Sequence, residues 1–366
     1  SVSPVIQQQA AEVGFPTTYT SYTEMGYRLD HLSVYEWIER YVPGRHHSPA
    51  SHLLETACTG FYGLATKEQS ALNLLYLYAP RVSEGRPAPL APLQGTIKIA
   101  GGNQLLPLAI ANSLPQERIQ LRHQLVSIRR NGDSMVTLSF VTPHGPLDVT
   151  CDQVILALPF STLRHVDYSQ AGFDALKQTA ITQLSYGTVS KLFLLFDTRY
   201  WYTDGPWPRT HNGFLITDLD IQVLWDGTLG ETSTNGILVN YRGGPFGAAY
   251  SPPMSYTTTN DSEQIQQYAH HCLEQLEHVL PGISPHYTGT AALSYPTGDP
   301  YLQGSYSCWG VGQYTLFAGY EGIRQGPIHF AGEHCSLEKQ GYMEGGAREG
   351  ARAARDILQD FAPPML

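Results

Sequence analysis

Charged side chains are scarce, at 15% of 366 residues, and hydrophobic ones reach 42%, which excludes a disordered or fibrous chain. The charges present lean acidic, to a formal net charge of −10. That balance excludes nucleic acid or an anionic membrane as the main partner and favours cationic ligands. No apolar run reaches the ~18 residues that a membrane-spanning helix needs. The opening SVSPVIQQQAAEVG has neither a basic n-region nor an apolar h-region, so it does not read as a signal peptide. It has no initiating Met either, and the natural start is expected elsewhere, which leaves the compartment open.

Other absences concern chemistry. The 5 cysteines, Cys58, Cys151, Cys272, Cys308 and Cys335, are odd in number, scattered and without a CxxC, so they read as free thiols. No GxSxG, Walker or zinc pattern occurs. His46 and His47 with His52, and His270 with Glu274, lack a third ligand at sensible spacing, so no metal site is expected. Nowhere does GxGxxG follow a strand with an acidic residue ~20 positions on, the arrangement that cradles a dinucleotide. GGNQLL and GVGQYT do not fit it.

What is present suits two domains with a sizeable core. The 23 tyrosines and 5 tryptophans suit aromatic-lined cavities as well as cores. Ser33-Val34-Tyr35-Glu36 is a capping box, followed by Trp37, Ile38 and Tyr41 on one helical face and stopped at Pro43-Gly44. Ser48-Pro49 opens a second helix, and Thr66 with Gln69 is expected to cap a third, ALNLLYLYA, buried all round. TIKIAGGNQLLPLAIANSL reads as strand, double-glycine turn and helix. RIQLRHQLVSIRR and SMVTLSFVT flank a hairpin turn at Asn131-Gly132, and VILALP is apolar enough for a strand covered on both faces. KLFLLFD and GILVNYR are further strands, and SEQIQQYAHHCLEQLEHVL is an amphipathic helix with Ile265, Cys272, Leu276 and Val279 inward.

HFAGEHCSLEKQGYMEGGAREGARAARDIL, residues 329–358, reads as strand, loop and helix. The helix carries Gly341, Gly345, Gly346 and Gly350, each costing about 1 kcal/mol relative to Ala. Two arrangements offset such a cost: tight packing on a sheet, or a flat or anionic ligand near the helix start, where the dipole favours negative charge.

FAGEH followed by QGYMEGGAREGARAA resembles the C-terminal flavin-binding segment of the flavin amine oxidases, the family of monoamine, polyamine and L-amino-acid oxidases. IAGGNQLLPLAIANSL, RIQLRHQLVSI, VILALPFSTLRHV, YGTVSKLFLLFDTRYW and DPYLQGSYSCWGVG are similar to successive family segments, and residues 20–361 follow the family in order. The resemblance implies an α+β or α/β chain in which a Rossmann-like, incomplete FAD-binding domain interleaves with a substrate domain of mixed sheet and helices. The pieces would be 1–89 (substrate, helical), 90–167 (FAD), 168–304 (substrate, sheet and helices) and 305–366 (FAD). It also implies that the nucleotide-cradling βαβ unit is cut off or supplied by another chain.

Catalytic roles are implied for Lys191, matching the lysine that holds a water beside the flavin, and for Tyr306 and Tyr342, matching two tyrosines that face each other before the ring. Their faces would hold an amine and exclude water. Cofactor binding is implied for Gly101, Gly102, Leu125 (main chain toward adenine), Ser305, Gly332, Glu333 (sugar or ribityl hydroxyls), Gly341 and Met343. Ser305 stands where monoamine oxidases carry the flavin-linked cysteine, and Cys308 would point elsewhere, so FAD would be held non-covalently. Tyr295 departs from a common family tryptophan, and loops 200–212 and 243–258 are expected to shape the cavity. The implied reaction is oxidation of a primary or secondary amine to imine and aldehyde, with O2 reduced to hydrogen peroxide. Alternatives are an L-amino-acid oxidase, which requires an arginine for the carboxylate, and a fragment that binds no flavin.

Overall fold

The computed structural model describes residues 2–83, 99–203 and 213–361. Residues 96–98 of the expected strand at TIKI and most of loop 200–212 lie outside those residues, and Ile99 is not in a strand. A six-stranded antiparallel sheet dominates the middle of the chain, in the order 256–258, 287–294, 190–196, 236–242, 223–226, 214–216. Alternation gives this sheet two different faces. Leu192, Leu194, Phe196, Leu224, Leu238 and Leu293 point one way and pack with Ile265, Ala269, Cys272 and Leu276 of the helix Glu263–Val279. Each such side chain taken out of water contributes about 1.5–3 kcal/mol. The other face is left to the candidate site.

A four-stranded sheet runs in the order 145–151, 135–142, 124–131, 167–170. Its hairpin turns where expected, with Asn131 opposite Met135 and Gly132 at φ +65°. Val154–Leu156 does not join it; this strand pairs in parallel with Ile328–Phe330 alone. The expectation that VILALP is covered on both faces fails at Ile155, which is 37% exposed.

The N-terminal helices form as read, with one correction. Ser33 Oγ accepts from Glu36 N at 3.1 Å, and Glu36 accepts from Ser33 N at 2.9 Å, closing the capping box of Val34–Tyr41. Ser48 caps Pro49–Tyr62. The third helix begins at Ala71, and Ser70 Oγ, rather than Thr66, takes the N–H of Leu72 at 3.3 Å. Gln69 instead donates its amide to the carbonyls of Cys58 and Leu64. The helix itself is buried as expected at Ala71, Leu72, Leu74, Leu75 and Tyr78. All five cysteines are free. The helix Leu105–Asn112 has no buried residue at all.

Candidate active site

Sheet register assembles the first wall of the site. Ile216, Val223, Tyr241, Lys191 and Ser294 lie directly opposite one another across five strands, so their side chains share a face. Phe214, Trp225, Val239 and Phe193 form the next row on that face. This is the face turned away from the helix Glu263–Val279, and it is aromatic and aliphatic around a single cation. Lys191 Nζ sits 5.8 Å from the Tyr241 ring centroid, and Trp225 packs on the same ring at 5.2 Å. Lys191 is exposed, yet neighbouring protein displaces enough water to lower its ammonium pKa from the ordinary lysine value.

Tyr306 joins this wall from a distant loop. Its hydroxyl lies 2.6 Å from that of Tyr241 and donates to the carbonyl of Phe61. Its own carbonyl accepts from Gly187 N at 2.9 Å, while Ser305 gives both its N–H and its hydroxyl to Gly187 O at 2.8 Å. Burial raises both phenols, Tyr241 to about 12 and Tyr306 well above its usual value, so both stay protonated at neutral pH. Cys308 is buried and accepts from Asn73 Nδ2 at 3.5 Å.

Glu333 ties the loop to the glycine-rich helix. One carboxylate oxygen accepts from Ser307 N at 2.8 Å; the other accepts from Ser307 Oγ at 2.8 Å and Gly341 N at 2.6 Å. The carboxylate expected to meet sugar hydroxyls thus already holds three protein donors. A Cβ on Gly341, at φ +79°, would lie 3.5 Å from the Tyr306 ring. Tyr342 follows at the N-cap position and is 56% exposed. Met343 opens the helix Met343–Asp360 and is exposed too.

Gly341, expected within this helix, precedes it, and the glycines inside it differ in their surroundings. A Cβ on Gly345 would come 2.2 Å from Lys339 O, a close backbone approach within the loop. A Cβ on Gly350 would meet nothing within 4 Å, and one on Gly346 only Glu333 N at 3.9 Å.

Register and hydrogen bonding therefore bring together Lys191, Ser305, Tyr306, Glu333 and Gly341, with Tyr342 and Met343 next in the chain and Gly332, at φ +140°, beside Glu333. Among the described residues Gly101 and Gly102 are not joined to them: they lie in an exposed turn whose hydrogen bonds there stay within residues 99–106. Leu125 pairs with Phe140 in the four-stranded sheet and packs on the larger core. Sequence reading missed Tyr241 and Trp225. Parity within GILVNYR puts Tyr241 opposite in sense to Asn240, but only the pairing with Lys191 reveals which face matters.

The architecture is that of the amine oxidases. Cyclohexylamine oxidase from Brevibacterium oxydans IH-35A superposes with a TM-score of 0.77 at 19% identity, covering 98% of this chain and 74% of that one. Wild-type putrescine oxidase bound to putrescine gives 0.78 at 19% identity, with the same coverage of 98% and 74%. The model of the flavin containing amine oxidoreductases matches residues 27–358, and the chain belongs to that family. Among curated relatives, the putative L-amino-acid oxidase YobN of Bacillus subtilis (strain 168) is 29% identical over 268 residues, 71% of this chain and 52% of that protein. The L-amino-acid oxidase of Notechis scutatus scutatus is 25% identical over 281 residues, 73% of this chain and 49% of that protein. The chain spans about half the length of the curated relatives it matches.

Membership implies a flavin, and the corner around Gly341 fits one. Gln340 Nε2 is enclosed without a hydrogen-bond partner, the helix at Met343 has no side-chain cap, and the helix surface at Gly350 stands open. A helix start with unclaimed N–H groups favours an electron-rich or anionic edge.

Proposed function

We propose that this chain forms the amine-binding and flavin-ring-binding part of an FAD-dependent oxidase that converts a primary or secondary amine to imine and aldehyde, with O2 reduced to hydrogen peroxide. The observation that carries the reading is the meeting of the Lys191–Tyr241 sheet face with Tyr306 and the Gly341–Met343 helix start. FAD, when bound, supplies the two-electron acceptor; Gly332, Glu333, Gly341 and Met343 would hold it, with Tyr342 beside them. The chain's own contribution is a dry aromatic wall that favours an uncharged amine, because desolvation lowers an ammonium's pKa. Attachment is non-covalent: Ser305 has no thiol to link, and Cys308 is turned inward.

An L-amino-acid oxidase is the second reading, supported by the names of the curated relatives. Such an enzyme needs a cation for the substrate carboxylate, and Lys191 is the one basic side chain in the two rows of the site face. We favour the amine. Turnover of phenylethylamine against phenylalanine by the flavin-loaded protein decides, and preference for the acid overturns the amine reading.

We also propose that residues 1–89 and 168–304 serve substrate, that 90–167 and 305–366 serve FAD, and that a further segment or chain completes the nucleotide site. Support comes from Leu105, Leu106, Leu108 and Ile110, 41–58% exposed on one helix, and from the parallel strand pair beside exposed Ile155. Apolar surface of that kind marks a contact. The absorption spectrum of the purified chain tests this: flavin bands without any added segment would refute the need for one.

A further inference from the structure

We infer that Tyr241 is a positioning residue that fixes the plane of the Tyr306 ring and thereby commits Tyr306 to offering its ring face, not its hydroxyl, to an amine. The direction of the hydrogen bonds follows from a proton count. Tyr306 has one hydroxyl proton and donates it to Phe61 O, so the 2.6 Å contact between the two phenols requires Tyr241 to be the donor. The chain of donation runs from Tyr241 to Tyr306 to the last turn of the helix Pro49–Tyr62.

A phenol's O–H and its acceptor lone pair lie near the ring plane, so two partners on the oxygen define that plane as well as the ring's axis. The other end of the residue is pinned where its carbonyl accepts from Gly187 N at 2.9 Å. Three elements far apart in sequence therefore hold one ring: strand Gly236–Arg242, helix Pro49–Tyr62 and the turn at Gly187. Tyr241 can act as this brace because it is itself fixed. It is 8% exposed, its ring lies between Trp225 and Lys191, and its buried hydroxyl would lose free energy without a partner. Tyr306, with its hydroxyl used on both sides, has no proton left for a substrate nitrogen.

The kinetic half of this inference rests on the amine-oxidase reading; the spectroscopic half does not. In the flavin-loaded protein with phenylethylamine, Tyr241→Phe should lower kcat by about tenfold with KM within about twofold, since it tilts a ring without removing it. Tyr306→Phe should also lower kcat, and Tyr241→Phe/Tyr306→Phe should be no worse than Tyr306→Phe alone, because the brace acts through the missing oxygen. In the flavin-free chain labelled with ring-13C tyrosine, the Tyr306 signals, assigned by their loss in Tyr306→Phe, should shift and average in Tyr241→Phe. Losses that multiply in the double variant overturn the inference. So do Tyr306 signals that stay unchanged in Tyr241→Phe, whether or not the protein turns over amine.

Discussion

Glu333 clamps Ser307 to Gly341, accepting Ser307 N at 2.8 Å and Gly341 N at 2.6 Å through different carboxylate oxygens. The clamp joins the loop that carries Tyr306 to the turn that opens the glycine-rich helix. In Glu333→Gln one oxygen becomes an NH2 group facing either Ser307 N–H or Gly341 N–H, so one donor loses its acceptor. The expected loss is about 1.5–3 kcal/mol, the worth of a hydrogen bond to a charged group. Urea unfolding of the two proteins measures it; a difference below about 0.5 kcal/mol would show that the clamp is slack.

Two glycines of one helix should respond to alanine in opposite directions. Gly345→Ala would drive a methyl against Lys339 O at 2.2 Å, where only backbone movement makes room, so it should destabilise by more than about 2 kcal/mol. Gly350→Ala meets open space and should stabilise the isolated chain by up to about 1 kcal/mol through helix propensity. If a cofactor or a further segment packs closely at Gly350, the same methyl will weaken that association. Comparing urea midpoints with flavin retention separates the two effects, and a destabilised Gly350→Ala chain would contradict the open surface.

Burial makes Glu321 and Lys177 a source of pH dependence. Burial raises the Glu321 carboxyl to about 8, and one of its oxygens has no partner. Burial lowers the Lys177 ammonium to about 8, although it donates to the carbonyls of Tyr320 and Glu321 at 2.7 and 2.6 Å. Unfolded Glu ionises near about 4.3, so between that pH and about 8 the folded chain holds an extra proton and stability falls as pH rises. Unfolded Lys keeps its proton to about 10.4, so from about 8 upward stability recovers. The pair thus places a stability minimum near pH 8. Glu321→Gln should be more stable than the parent there, with the gap widening between roughly pH 5 and 8 at up to about 1.4 kcal/mol per unit. A constant gap across that range would rule out the carboxyl as its source.

Features fixed by neighbours in sequence were legible before any coordinates. The Ser33–Glu36 box and the Asn131-Gly132 hairpin each lie within a few residues, and both form as read. Features fixed by long-range pairing were not. Tyr241 gains its meaning from Lys191 on another strand and from Tyr306, 65 positions along the chain. Ser70, not Thr66, meets the first turn of its helix, and Gln69 bonds the carbonyls of Cys58 and Leu64. Motif resemblance singled out Glu333 for sugar hydroxyls, whereas its protein partners, Ser307 and Gly341, appear only in three dimensions.

The helix Leu105–Asn112 offers the sharpest test of whether the site is completed from outside. Leu108 and Ile110 are 52% and 58% exposed, so in this chain a charged replacement at either costs little burial. Leu108→Glu with Ile110→Glu should leave the thermal midpoint within about 1–2 °C of the parent and reduce self-association seen by light scattering. If a further segment or chain covers this helix, the same changes would put a carboxylate into an apolar contact, at a cost of several kcal/mol. Flavin content after purification would then fall sharply while the isolated chain stayed folded. Equal flavin content in parent and variant would mean that nothing covers this helix when the cofactor is bound.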